Sequence, residues 1–164
     1  MQPHPDPTPV ALACAIVTVS DSRTLETDTS GQLIRSLLAT AGHQVSHYEI
    51  LPDEPERIRQ AIAQLSSQPI DILLFNGGTG IAPRDTTYDA ITSLLEKTLP
   101  GFGELFRMLS FAEVGSRAMA SRAVAGTIGR QVLFSMPGSS KAVKLAMEQL
   151  VLPEMVHLVK QLSS

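Results

Sequence analysis

A single cysteine, Cys14, among 164 residues excludes an internal disulfide, and its position inside the apolar run 11–19 marks it as a small core residue. Aromatic residues make up only 4%, so the core has to be built mainly from aliphatic side chains. No apolar run reaches the ~18 residues of a membrane span. The N-terminal stretch Met1-Gln2-Pro3-His4-Pro5-Asp6-Pro7 has neither a basic start nor an apolar segment before Val10, and a cytoplasmic protein with no membrane contact is expected. A basic surplus is also missing. The net charge of −3 argues against nucleic acid as a general partner, while leaving room for a local anion pocket. There is no glycine-lysine pair for a Walker loop, Pro83 stands where a dinucleotide fingerprint needs its third glycine, and no glycine-x-serine-x-glycine elbow occurs. P-loop hydrolysis, hydride transfer and serine-hydrolase chemistry lose support accordingly. His43 and His47 lie four residues apart in a predicted strand, about 13 Å in extended chain, which is too far to share one metal ion.

What is present is an alternation of strand and helix. Residues 10–19 are nearly all apolar or small, as in a strand covered on both faces. Ile34, Leu37, Leu38 and Ala41 then repeat at helical spacing up to Gly42. A second unit runs from a strand at 44–51 into a helix marked by Ile58, Ile62 and Leu65. A third has a strand at 70–75 followed by a helix carrying Ile91, Leu94 and Leu95. A helix is expected around 104–111, followed by a loop-rich stretch to Gly129. The strand 131–136 then leads into a helix with Val143, Met147 and Leu150 and a last one with Met155, Leu158, Val159 and Leu162. Short connections between alternating elements imply an α/β domain of parallel strands with right-handed crossovers. The Pro-rich residues 1–9 are expected to be a flexible tail ahead of a single domain over 10–164. The polar segments 20–30, 52–54, 76–86 and 137–141 all follow strands, so they are expected to gather at one edge, where ligands of such sheets bind.

The most informative of these segments is Asn76-Gly77-Gly78-Thr79-Gly80-Ile81-Ala82-Pro83-Arg84-Asp85. Its glycines remove the Cβ atoms that would keep an anion from backbone N–H groups, although tight strand-to-helix turns also use glycine for conformation alone. Arg84 adds a cation, and Asp85 is either a candidate metal ligand, favoured by its place beside Arg84 and the glycines, or a residue that caps or precedes the helix at Thr87. Asp53 either caps the helix beginning near Glu54 or reaches toward Asp85 across adjacent strand ends. Pro137-Gly138-Ser139-Ser140-Lys141 opens a helix where Ser139 or Ser140 either caps or binds phosphate, and Lys141 supplies a further cation or is simply solvated. In the first polar loop Ser20 and Asp21 lie nearest the strand end, whereas Glu26 and Asp28 are expected to face water.

Taken together, these segments resemble the molybdenum cofactor biosynthesis proteins of the MoaB/MogA family. The resemblance is carried by Thr18-Val19-Ser20-Asp21-Ser22-Arg23-Thr24, Asp28-Thr29-Ser30-Gly31, Pro52-Asp53-Glu54, Gly77-Gly78-Thr79-Gly80 and Pro83-Arg84-Asp85. Pro100-Gly101-Phe102-Gly103-Glu104, Ser121-Arg122-Ala123 and Met136-Pro137-Gly138 extend it over roughly residues 10 to 160. The loop 20–23 and the run Phe106-Arg107-Met108-Leu109-Ser110-Phe111 look closest to the MoaB branch. Asn76 departs from it, standing where threonine is common. The resemblance implies a three-layer α/β/α domain with a mostly parallel sheet, assembled as a homotrimer or homohexamer. It also implies binding of molybdopterin and, in active members, Mg-ATP-dependent adenylylation of that pterin, with Asp53 and Asp85 as the matching carboxylates.

In such a transfer the pterin's terminal phosphate attacks the α-phosphorus of ATP. A phosphate with a second pKa near ~6 is already mostly deprotonated at neutral pH, so no strong general base is required. Bringing two anions together and stabilising the departing pyrophosphate are the harder terms. Asp85 is accordingly expected to be a magnesium ligand and Asp53 to position metal or nucleotide. Gly77, Gly78, Thr79 and Gly80 would cradle phosphate, with ATP or GTP as nucleotide and other pathway proteins as partners. Two alternatives stand beside this reading: a carrier that binds pterin or nucleotide without chemistry, and a nucleotide phosphohydrolase.

Overall fold

The computed structural model describes residues 9–164, so the expected tail falls, apart from its last residue, outside the described residues. Its strands are β1 (Ala13–Val19), β2 (Gln44–Leu51), β3 (Ile72–Asn76), β4 (Lys97–Thr98), β5 (Val124–Ile128) and β6 (Gln131–Met136). The helices are α1 (Thr29–Thr40), α2 (Pro55–Ser66), α3 (Thr87–Thr92), α4 (Pro100–Val114), α5 (Ser140–Ala146) and α6 (Leu152–Ser163). A 3₁₀ segment covers Gly115–Ala120, and one π turn, Met147–Val151, joins α5 to α6. The strands form one sheet in the order β2-β1-β3-β6-β5-β4. Strands β2, β1, β3 and β6 are parallel, and β5 and β4 run antiparallel at one side.

The alternation of side chains along the strands divides the core into two layers. Cys14 and Ile16 of β1, with Ile72 and Leu74 of β3, face α1, α4, α5 and α6 through Ile34, Leu38, Phe106, Val143 and Met155. Ala15 and Val17, with Leu73 and Phe75, face α2 and α3 through Ile58, Ile62, Leu65 and Ile91. Both layers are apolar because a parallel sheet is covered on both faces. Each fully buried leucine contributes about 1.5–3 kcal/mol of transfer free energy. Burial also pushes the Cys14 thiol up to about 12, as suits a packing residue rather than a nucleophile.

Several expected boundaries shift. The first strand begins at Ala13 rather than residue 10, and the third covers Ile72–Asn76 rather than 70–75. Helix α3 ends at Thr92 because the chain turns there, the Leu94 amide bonding the Ile91 carbonyl at 2.9 Å, so Leu94 and Leu95 are not helical. The stretch expected to be loop-rich holds β5, which pairs with β6 through the two-residue connection Gly129-Arg130. Strand β5 reads poorly as a strand because it contains Gly126, whose missing Cβ would otherwise collide with the Lys97 carbonyl of β4.

Asp28 overturns an expectation. Glu26 is exposed, but Asp28 is completely buried, because it caps α1 and is surrounded by donors. Its carboxylate accepts from the Gly31 amide at 3.0 Å and the Tyr48 hydroxyl at 2.6 Å, with the Arg23 guanidinium at 3.4 Å. Asn76 extends the network across the sheet, donating to Thr18 Oγ1 at 2.9 Å and facing the Ser30 hydroxyl at 2.9 Å. Burial opposes ionisation of Asp28, but the hydrogen bonds from Thr18, Tyr48, Gly31 and Ser30 outweigh it and hold the carboxyl below its usual range. The same contact, after burial, raises the Tyr48 phenol.

A carboxylate with a depressed folded-state pKa contributes stability above its unfolded pKa and loses it as pH falls through the folded value. Urea unfolding should therefore show stability falling below about pH 4, the unfolded carboxylate range. Asp28→Asn should cost about 1–3 kcal/mol at neutral pH, the penalty of breaking a buried charged network, and should flatten that acid limb. An unchanged acid limb in the variant would contradict the assignment.

Candidate functional site

The loops after β1, β2, β3 and β6 meet at the carboxyl edge of the sheet, as their placement in the chain predicts. Asp21, after β1, pairs with Arg84 through both oxygens, Nε to Oδ2 at 2.7 Å and Nη2 to Oδ1 at 2.9 Å. Asp21 Oδ1 also accepts the Asp53 amide at 3.1 Å, joining the loops that follow β1, β2 and β3. The Arg84 hydrogen bond, reinforced by the Asp53 amide, holds the Asp21 carboxyl below the usual carboxylate range, and the same pairing raises Arg84. Arg84 is thus a fixed cation whose charge already has an anionic partner. Ser20 shapes this loop, its hydroxyl accepting the Ser22 and Arg23 amides at 3.3 and 3.1 Å.

Asp53 is buried and does not cap α2, whose N-cap is Glu54 without a side-chain bond. Its Oδ1 instead accepts the Thr86 amide at 3.2 Å, the Thr86 hydroxyl at 2.7 Å and the Thr87 hydroxyl at 3.3 Å. Oδ2 of Asp53 faces Gly78, and Oδ2 of Asp85 faces Gly80. Both carboxylates therefore lie against one glycine turn. Asp85 is half-buried, and its Oδ2 accepts the Ala82 amide at 3.2 Å.

The glycines have a packing reason beside any ligand. Gly77 and Gly78 have φ of 103° and 67°, in the left-handed region, and a Cβ on Gly77 would collide with the Val19 carbonyl. At Gly78 it would collide with Thr87 Oγ1 and sit 2.5 Å from Asp53 Oδ2. Thr79 is buried, and its carbonyl accepts the Arg122 amide at 2.9 Å. Among the described residues, the recorded hydrogen bonds use the Gly77 amide, to the Met136 carbonyl at 2.9 Å, and none uses the amides of Gly78, Thr79 or Gly80.

The turn after β6 completes the rim. Gly138 lies so close to Gly77 that a Cβ would stand 3.2 Å from the Gly77 Cα. Ser139 caps α5, accepting the Ala142 amide at 3.2 Å, while Ser140 contacts the Thr29 hydroxyl at 3.3 Å and Lys141 is exposed. Pro137 and Lys141 border a cavity of about 740 Å³ that is also lined by Phe106, Arg117, Ser121 and Lys144. The Ser121 hydroxyl is buried and has no hydrogen-bond partner.

Among the described residues no group of three or more His, Cys, Asp or Glu is arranged to hold a metal ion. The pair Asp53 and Asp85 still fits magnesium, which is commonly bound by one or two carboxylates, with substrate phosphates and water completing the octahedron. Thr86, Thr87 and Arg122 belong to the site and were not picked out by sequence. The adjacency of Thr86 and Thr87 to Asp85 was the available signal, and Arg122 stood in the matching segment Ser121-Arg122-Ala123 without a role.

The model of a family described as a probable molybdopterin binding domain matches residues 15–157. The chain is 55% identical over 161 residues to molybdenum cofactor biosynthesis protein B of Bacillus cereus, covering 97% of this chain and 95% of that one. A crystal structure of molybdenum cofactor biosynthesis protein B superposes with a TM-score of 0.93 at 54% identity, over 95% of this chain and 98% of that one. The tungsten cofactor synthesizing protein MoaB from Pyrococcus furiosus gives 0.85 at 33% identity, over 96% and 100%.

Substitution separates the required glycines from the incidental ones. Gly78→Ala should lower the thermal midpoint by more than about 5 °C, since it combines left-handed strain with collision at Thr87. Gly101→Ala, in α4 with nothing within 4 Å, should be neutral or stabilise by about 0.5–1 kcal/mol. Equal midpoints for the two variants in calorimetry would refute the packing argument.

Proposed function

The chain belongs to the MoaB/Mog family of molybdopterin-binding domains, and from that premise we propose that it acts in molybdenum cofactor biosynthesis by transferring AMP from Mg-ATP to the terminal phosphate of molybdopterin. The observation that carries the proposal is that the Asp53 and Asp85 carboxylates lie against one glycine turn at the edge where the parallel strands end. Ligand sites of open parallel sheets sit at that edge.

On this reading the amides of Gly78, Thr79 and Gly80 donate to phosphate oxygens, and Asp85 is the primary carboxylate of the metal site. Asp53, held by Thr86 and Thr87, fixes the distance between the turn and that site. Magnesium, when bound there, would offset charge building on the departing pyrophosphate. Ser20, Asp21 and Arg84 lie beside these carboxylates, where the ion pair keeps the loop rigid without adding net repulsion toward an anion. The cavity beside Pro137 lies in the size range of small-molecule sites, and Lys141, Lys144 and Arg117, set against Glu113 and Glu148, leave it a small basic surplus for a phosphorylated pterin. The reacting phosphate bond forms at the α-phosphorus as the bond to pyrophosphate breaks. No proton has to be removed from the nucleophile by the protein.

A homo-oligomer, trimer or hexamer, is part of the same proposal. Leu105, Met108, Phe111 and Val114 recur every third residue on α4 and are 47%, 60%, 62% and 50% exposed, an apolar face suited to a second copy of the chain. Phe111→Glu should shift sedimentation toward the monomer, and an unshifted assembly would exclude this face.

The deciding experiment mixes the protein with molybdopterin and Mg-ATP and follows adenylylated pterin by mass spectrometry. Product formation is expected. Retained pterin without product would make the protein a carrier, and phosphate release without pterin would make it a phosphohydrolase. Asp85→Asn should lower adenylyl transfer by about 10²-fold, in line with loss of an electrostatic stabiliser, while pterin affinity changes little. Turnover equal to that of the unaltered protein would remove Asp85 from the mechanism.

A further inference from the structure

The loop from Gly77 to Thr86 has little of its own to hold it. Ile81, Ala82, Pro83 and Arg84 are exposed, Ile81 to 75%, and the backbone bond recorded within the loop is Asp85 N–H to the Ala82 carbonyl at 2.9 Å. Its order comes from outside: the Asp21 carboxylate holds the Arg84 side chain and Asp53 holds Thr86, but it is Arg122 whose side chain grips the main chain of the loop at two points. Arg122 Nε donates to the Gly80 carbonyl at 3.0 Å and Nη2 to the Asp85 carbonyl at 2.9 Å. Nη1 pairs with the Asp89 carboxylate at 3.2 Å, and the guanidinium lies 4.9 Å over the Tyr88 ring. The Arg122 backbone amide also bonds the Thr79 carbonyl at 2.9 Å.

A planar guanidinium is thus fastened to both ends of the segment 80–85, a geometry that the single ammonium of lysine does not reproduce. The fastening point is itself braced. Arg107 of α4 donates to the carbonyls of Ser121 and Ala123, at 3.2 and 3.3 Å, on either side of Arg122. Directly after it, Val124 and Ala125 are buried in β5.

We propose that Arg122 is the positioning residue of this loop: by holding the main chain of Gly80 and Asp85 at a fixed separation, it presents the Asp85 carboxylate at the glycine turn. Its catalytic consequence rests on the adenylyl-transfer reading above, while its effect on the loop does not. Arg122 acts through Asp85 rather than on substrate, because each of its three side-chain nitrogens already donates within the protein, to Gly80, Asp89 and Asp85, and one face is covered by Tyr88.

The test uses Arg122→Lys and Arg122→Ala in the full chain. Amide hydrogen exchange across residues 78–86 should rise by about tenfold or more in both variants, with β3 and β6 unchanged. In steady-state assays kcat should fall by about tenfold or more while the KM for molybdopterin stays within about twofold, and the magnesium concentration for half-maximal rate should rise. Placed on Asp85→Asn, either variant should cost less than about twofold further, since two residues acting as a unit are not additive. Added guanidinium ion should partly restore the alanine variant. Should that variant fail to fold, Arg122→Lys and Asp89→Asn carry the same comparison. Unchanged exchange in 78–86, or full additivity with Asp85→Asn, would overturn the proposal. If the unaltered protein forms no adenylylated pterin, the reaction reading fails, and the exchange measurement still decides the role of Arg122.

Discussion

Parallel pairing of β1, β2, β3 and β6 is the constraint from which the rest follows. Parallel strands joined by right-handed crossovers deliver every carboxyl end to the same edge, so the four connecting loops must crowd into one rim. Crowding removes water from polar groups that short loops cannot hide. Each buried polar group then needs a partner from another loop, or costs about 1–3 kcal/mol. Asp28 is met by Tyr48, Gly31 and Arg23, Asp53 by Thr86 and Thr87, and Asn76 by Thr18 and Ser30. Apart from the Gly31 and Arg23 contacts of Asp28, these bonds run between segments far apart in sequence, which makes the rim rigid as a by-product of its desolvation.

Charge at the rim is arranged with the same economy. Arg23 faces Asp28, Arg84 faces Asp21 and Arg122 faces Asp89, so the arginines nearest the glycine turn are already committed to carboxylates. They steady the loops more than they attract a polyanion. Uncommitted positive character is left to the backbone amides of the turn and to Arg117, Lys141 and Lys144 in the cavity beside Pro137, where Glu113 and Glu148 leave only a small basic surplus. A split of this kind suits a site that must bring anions together, because fixed amide dipoles in a desolvated rim cost no reorganisation when charge moves.

The architecture was legible because periodicity reports burial. Strand 131–136 and the strand 44–51 were read at their observed bounds, and the two-faced apolar run of β1 announced a covered parallel strand. Strand β5 was not legible, since Val124-Ala-Gly-Thr-Ile carries too little bulk to signal a strand and its glycine is explained only by the approach of Lys97 from β4. Within the site, Asp53, Asp85 and the glycines stood out by type and spacing. Asp28 was misread although its place ahead of the helix carried a local N-cap signal, and only the approach of Tyr48 from β2 lay beyond local reading. Arg122 stood in the matching segment Ser121-Arg122-Ala123, but its role was not legible there. Its partners are carbonyls, which every residue has, so only the folded path of the chain distinguishes it.

The two carboxylates at the glycine turn are not equivalent, and the difference follows from who holds them. Asp53 is buried, with Oδ1 taken by three donors on Thr86 and Thr87, so its position is fixed before any ligand arrives. Asp85 is half-buried, with one amide on Oδ2, and retains capacity for a further ligand. Among the described residues each carboxylate keeps one oxygen without a donor, Oδ2 on Asp53 and Oδ1 on Asp85, but three charge-assisted hydrogen bonds at about 1.5–3 kcal/mol each hold Asp53 more firmly than one amide holds Asp85. Asp53 therefore suits the fixed reference point and Asp85 the exchangeable contact. The backbone that carries Asp85 belongs to an exposed loop, so the precision of that contact draws on its surroundings: Asp21 through Arg84, Asp53 through Thr86, and Arg122, from the segment that precedes β5, through the Asp85 carbonyl.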